Sequence, residues 1–208
     1  MIYLSGALNR NQMGKRPDVG IMLGYREGSI AHGWRRLAGI HWAADNGCFT
    51  NPNLDVDKYL AWLEKLKAVQ GTCLFATAPD VVADAAKTWE RSRDVLPKIR
   101  ALGYDAAFVA QDGQEDRALD WDRFDCLFIG GSTDWKLSQH AFWLCREAAR
   151  RGKWVHMGRV NSFRRLLRAR FARCNSADGT QLAFGPDQGF KKLCEWLDFI
   201  QRQPTLDF

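Results

Sequence analysis

Short apolar runs recur along the chain, and the stretches between most of them repeat at helical spacing instead. The runs are Ile2–Ser5, Val19–Leu23, Ile40–Ala44, Cys73–Ala78, Ala106–Ala110, Cys126–Ile129, Trp154–Met157 and Arg173–Ala177. Most are apolar at nearly every position, the pattern of strands buried on both faces of a parallel sheet. Between them, Val56–Val69 carries Leu60, Leu63, Leu66 and Val69 at helical spacing and closes at Gly71. Val82–Leu102 is helical in pattern, with Pro97 expected to bend it or split it in two. Ser138–Arg151 opens on an N-capping serine and stops at Gly152. Ser162–Ala172 puts Phe163, Leu167 and Phe171 on one face and its arginines elsewhere, and Gln188–Ile200 forms a last helix on Leu193, Trp196, Leu197 and Ile200. Asn9–Asp18 and Tyr25–Gly39 read as long loops after the first two strands.

Eight strands with intervening helices predict an α/β fold, a compact (β/α)8 TIM-type barrel; an open doubly wound sheet is the alternative. With 208 residues the chain is near the lower size limit of such a barrel, about 200, so some helices must be short or missing. No internal repeat, low-complexity stretch or linker divides it, and residues 1–208 are read as one domain. An apolar content of 46% supplies a core, but no run of about eighteen apolar residues predicts a membrane span. Met1–Gly6 reads as a first strand and not as a signal peptide. The six cysteines (Cys48, Cys73, Cys126, Cys145, Cys174 and Cys194) include no C-x-x-C pair, and several sit in apolar runs. Reduced thiols and a cytoplasmic setting are therefore expected.

Charge changes the picture locally. The net +6 alone is a weak pointer to a polyanion, but Arg146, Arg150, Arg151, Lys153, Arg159, Arg164, Arg165, Arg168, Arg170 and Arg173 are opposed only by Glu147. Arginine predominates there, which suits bidentate phosphate contacts, so the cluster reads either as a nucleic-acid surface or as a solvated basic face.

In a barrel of parallel strands, reactive groups belong at the C-terminal strand ends. Those ends carry Asp45, Asp80, Gln111 with Asp112, Gly130-Gly131, His156-Met157-Gly158 and Asp178. Any one of them is an ordinary loop residue, and Asp112 and Asp187 are read that way; acids or amides after three successive strands weigh against that reading for the set. His156 either lines a pocket or is a paired core histidine, and His32, His41, His140 and His156 form no ligand pattern. Among Trp34, Trp42 and Trp135, only Trp135, on a loop at the reactive face, is a candidate for stacking on a nucleotide. Ser132 and Thr133 bind phosphate or cap a turn.

The ordered motifs Asp-Asn-Gly-Cys-Phe, Ala-Pro-Asp, Ala-Gln-Asp-Gly, Ile-Gly-Gly-Ser-Thr, His-Met-Gly-Arg and Asp-Gly-Thr resemble those of the transglycosylases that exchange guanine for a 7-deazaguanine. The likeness is greater to their DNA-acting branch, the deazapurine DNA modification transglycosylases of phages and some bacteria, and it spans roughly Ser5 to Pro186. The resemblance implies that Asp178 is the nucleophile, forming a covalent glycosyl–enzyme intermediate, and that Asp45 is the general acid/base. It implies base binding by Asp80, Gln111, Gly130, Gly131, Met157 and Gly158. Its partners would be DNA and a 7-deazaguanine base such as preQ0, with no cofactor, and Arg159, Arg164, Arg165, Arg168 and Trp135 would face the nucleic acid. The tRNA-acting relatives carry a zinc site built from a C-x-C-x-x-C cluster and a later histidine; here only Cys174 and Cys194 lie in the C-terminal part, so no metal is expected. Two alternatives stand beside this reading: an N-glycoside or deoxynucleoside hydrolase, and a non-catalytic nucleic-acid-binding barrel.

Overall fold

The computed structural model describes residues 1–6, 12, 14–26, 37–183 and 185–203. Eight parallel strands close into a barrel in sequence order: β1 Ile2–Leu4, β2 Val19–Gly24, β3 Trp42–Asp45, β4 Cys73–Thr77, β5 Ala106–Ala110, β6 Cys126–Ile129, β7 Trp154–Met157 and β8 Ser176–Asp178. The seam joins the first strand to the last, pairing Ile2 with Ser176, Tyr3 with Ala177 and Leu4 with Asp178. The TIM-type barrel expected from the run pattern is thus the fold.

The helices are α1 Val56–Lys65, α2 Ala85–Ser92, α3 Leu96–Ala101, α4 Thr133–Lys136, α5 Gln139–Arg150, α6 Phe163–Phe171 and α7 Pro186–Arg202. Asp55, Asp84, Ser132, Ser138 and Ser162 cap α1, α2, α4, α5 and α6, each side-chain oxygen accepting an early backbone N–H. The expected Val82–Leu102 helix is indeed split, and Pro97 sits in the first turn of α3, where its missing N–H costs nothing. Val56–Val69 is helical only to Lys65 and continues as a 3-10 turn over Lys67–Thr72. After β5 stand only the 3-10 turns Gln114–Asp116 and Trp121–Arg123, the short connections that a barrel of this size requires.

The last strand starts later than its apolar run suggested. Arg173 has φ +66° and closes α6, with Cys174 N–H on Ala169 O and Arg173 N–H on Arg170 O, a Schellman arrangement that turns the chain before β8. That shift places Asp178 inside the strand. Of the loop expected at Asn9–Asp18, residues 9–11 and 13 lie outside the described residues, and of that at Tyr25–Gly39 residues 27–36, His32 and Trp34 among them.

Alternation along each strand sorts side chains into two layers. Leu4, Ala43, Phe75, Ala107 and Cys126, with Met22 and Phe128, fill the barrel interior. Ala44, Ala76, Leu127, Val155, Met157 and Ala177 belong to the outer layer, packed with Leu63, Leu66, Ile99, Cys145, Leu166 and Ala169 of the helices and the turns that end them. All six cysteines are free thiols, and four of them are buried. Among the described residues no helix is long and apolar enough to cross a membrane.

Candidate active site

Continuing the inward parity of Ala43, Phe75, Ala107, Phe128 and His156 by one step reaches Asp45, Thr77, Val109, Gly130 and Gly158, all at the C-terminal mouth. With Asp178 they line one cavity of about 180 Å³. At a liquid's share of roughly 30 Å³ per water, that space matches about six waters, on the order of the bulk of a fused two-ring base. The two distant aspartates therefore share a single pocket.

Asp45 ends β3 partly buried, at a turn that Gly47 makes possible. Gly47 has φ +76°, and a Cβ there would lie 2.7 Å from the carbonyl oxygen of Tyr25. Burial pushes the Asp45 carboxyl up to about 6, with the negative charge of Asp178 adding to the rise and the N–H groups of Gly47 and Asn46 opposing it. Asp178 sits differently. Its Oδ1 accepts from His156 Nε2 at 3.0 Å and from the backbone N–H of Arg159 at 3.3 Å. At Asp45 burial and repulsion outweigh two backbone N–H groups, while Asp178 is met by a side-chain donor as well as a backbone one.

A second group on the pocket wall is an amide–carboxylate network. Asp80 accepts from Asn46 Nδ2 at 3.0 Å and from Gln111 Nε2 at 2.6 Å. Backbone partners fix both amides: Asn46 Oδ1 accepts from Cys48 N–H at 2.7 Å, and Gln111 Oε1 accepts from Ala83 N–H at 2.9 Å and Gly131 N–H at 2.8 Å. Burial raises the Asp80 carboxyl above its ordinary range, against the pull of Asn46 and then Arg91. Asp80 is a rigid acceptor with few degrees of freedom left.

Of the residues expected here, Asp45, Asp80, Gln111, Gly130, Gly158, Arg159 and Asp178 line the pocket. Met157 does not. Since His156 faces inward, Met157 faces outward, where it is 1% exposed in the layer beneath the helices. Gly131 is also absent from the lining: its N–H is held by Gln111, and a Cβ would lie 2.5 Å from the Trp135 ring. Gly130 reaches the pocket, but what its lack of a side chain admits is Val109 and Gln111, which a Cβ would approach to 2.7 and 2.8 Å. Gly158 leaves room for the Phe128 ring, which a Cβ would approach to 2.7 Å, beside Asp178.

Trp135 is not a stacking platform either. It lies buried on α4 with its indole N–H on Glu115 at 2.6 Å, and Trp42 is a core residue whose indole donates to Val69 O. Ser132 caps α4 and donates to Asp112 at 2.6 Å, so both act as turn chemistry. Asp187 is an exposed acid in the first turn of α7. The arginines divide. Arg159 stands at the pocket, its guanidinium 5.0 Å from the Phe49 ring and bonded to Gly131 O. Arg165 bonds Arg159 O at 3.4 Å, whereas Arg168 is a brace on Leu137 O and Ser138 O and over the Phe142 ring. Arg164 is exposed.

Sequence reasoning overlooked Asn46, Phe49, Thr77, Val82 and Phe128, all of which line the cavity. Strand parity could have found Thr77 and Phe128. Nothing in the sequence marks Phe49 and Val82, 64% and 40% exposed, as an apolar lip. Also overlooked was Lys136, fully buried on α4 and donating to Gly158 O at 2.7 Å. Burial, then the charge of Arg159, pushes its ammonium down to about 7. Among the described residues no group of three or more His, Cys, Asp or Glu side chains is placed to hold a metal ion. In comparisons with known proteins, no family model matches this chain, and no curated protein matches it.

Proposed function

We propose that the chain is a DNA-guanine transglycosylase that exchanges guanine in DNA for a 7-deazaguanine base such as preQ0. The observation that carries this reading is the pair of carboxylates on one base-sized cavity, with Asp178 met by donors and Asp45 raised to about 6. Asp178 attacks C1′ of the target nucleoside; the new C1′–O bond forms as the C1′–N9 bond breaks and its electron pair leaves with guanine. Asp45 supplies a proton to the departing base. In the second half the same carboxylate takes the N9 proton from the incoming base, whose nitrogen displaces Asp178 and frees the enzyme. A carboxyl near 6 suits both tasks at neutral pH, because it can hold or release a proton at little cost.

Asp80, held by two amides, offers a fixed acceptor to the N–H groups of a guanine-like edge. The Phe49 ring and Phe128 supply flat apolar wall. A guanine in duplex DNA must be rotated out at a cost of a few kcal/mol, which phosphate contacts from Arg159 and the exposed Arg164 offset.

The test is mass spectrometry of nucleosides from DNA incubated with the protein, preQ0 and labelled guanine. Incorporation of either base into the polymer supports exchange. Net loss of guanine without incorporation indicates a hydrolase, and unchanged DNA with retained binding indicates a binding barrel.

A further inference from the structure

Asp178 is the end of a hydrogen-bonded line that runs up the barrel interior. Trp154 Nε1 donates to Ser176 Oγ at 2.8 Å, Ser176 Oγ meets His156 Nδ1 at 2.8 Å, and His156 Nε2 meets Asp178 Oδ1 at 3.0 Å. An indole nitrogen can only donate, so the Ser176 oxygen is an acceptor toward Trp154. Its one proton is then free for His156 Nδ1, which must be unprotonated to receive it. The imidazole proton therefore sits on Nε2 and points at Asp178. The opposite assignment, with a proton on Nδ1, would leave the buried Ser176 hydroxyl proton with no acceptor among the described residues, an expensive omission in a site of 0% exposure.

We infer that His156 is a positioning residue, held by Trp154 and Ser176 as the neutral Nε2–H tautomer so that it donates to Asp178 and aims that carboxylate into the pocket. The inference rests on the transglycosylase reading for what Asp178 does, but the tautomer does not depend on it. His156 is not among the residues that line the cavity: it is fully buried, between the rings of Phe75 and Phe128 at 5.0 and 4.5 Å. The groups that face it are Asp178 and Ser176 from β8, Trp154 from its own strand, these two rings, and more distantly the Lys136 ammonium. Burial lowers its basicity and Asp178 opposes that, which keeps the ring neutral at ordinary pH. A neutral donor suits a nucleophile: it orients the carboxylate without the full charge that would quench it.

The experiment has two arms. Nitrogen-15 histidine spectra of the full chain should show His156 as the Nε2–H tautomer at about pH 7, and Asp178→Asn should retain that tautomer, because Trp154 and Ser176 set it from the other side. An imidazolium, an Nδ1–H ring, or a tautomer that switches in Asp178→Asn overturns the inference. In kinetics, His156→Leu should lower kcat roughly 10–100-fold with KM for the incoming base little changed, and His156→Gln, which returns an N–H near the position of Nε2, should recover most of it. A folded His156→Leu protein with unchanged kcat also overturns it. If the leucine variant does not fold, the spectra decide. Should the wild-type protein show no base exchange while the tautomer is as stated, the transglycosylase reading fails and the line from Trp154 to Asp178 stands.

Discussion

Asp45 holds its proton more tightly in the folded chain than in the open one, and that has a sign. Below about pH 3.8 both states are protonated and no difference arises. Between 3.8 and about 6 the folded state keeps a proton that the unfolded state has released, so stability falls as pH rises, and above 6 the penalty is complete. Asp45→Asn removes it. The variant is expected to be more stable than the parent by roughly 1–3 kcal/mol at pH 8, the free-energy equivalent of a rise from 3.8 to about 6, with the gain fading toward pH 4. Urea unfolding at the two pH values measures this; a gain that is equal at both would show that the carboxyl titrates normally. The same variant should lose most turnover. Asp178→Ala is expected to abolish base exchange while leaving DNA binding within a few-fold, read by nucleoside digests and by fluorescence anisotropy. Both aspartates were legible in the sequence as acids closing strand runs. Met157 was misread because a motif was carried over without strand parity, and parity turns neighbouring residues to opposite faces. His156 was left open between pocket and core; it is buried and paired, and its partner is Asp178.

Elements explain why the barrel itself could be read. Strands covered on both faces are apolar at nearly every position, so most of them stand out even when only three to six residues long. Helix α4 was invisible for the opposite reason: four residues are too few to show any period, and Ser132 looked as much like a phosphate ligand as a cap. In the fold it does three things, accepting from Trp135 N–H, donating to Asp112 and anchoring its own N–H there. Ser132→Ala should cost about 1–2 kcal/mol, seen as a lower urea midpoint with unchanged slope. Because α4 carries Lys136 to Gly158 O, the variant should also impair turnover more than base binding. An unfolding free energy within about 0.3 kcal/mol of the parent would mean that the cap contributes nothing.

For the molecule as a whole, the basic cluster needs dividing before it is assigned to DNA. Arg168 is bound to Leu137 O at 3.1 Å and Ser138 O at 2.8 Å, so Arg168→Ala should destabilise the fold. Arg164 is exposed, and Arg164→Ala should leave stability within about 0.5 kcal/mol. It should instead reduce the dependence of DNA affinity on salt, by roughly 0.7–0.9 in log–log slope if it meets one phosphate. Equal salt slopes for the parent and the Arg164 variant would remove that residue from the nucleic-acid face. Arg164's exposure and Arg168's bonds to two carbonyls separate them, and one-dimensional charge clustering carries neither.

The seam between β1 and β8 has a consequence for how the protein comes to exist. Leu4 pairs with Asp178, so of the eight strands the one made first and the one made last must meet before the ring is whole. A chain still emerging from the ribosome can assemble seven staves but not the eighth, and until then two unpaired strand edges stay open to neighbours. Asp178, the proposed nucleophile, arrives in the stave that shuts the ring. Activity and closure should therefore appear together during refolding, and a chain cut before Ser176 should have neither.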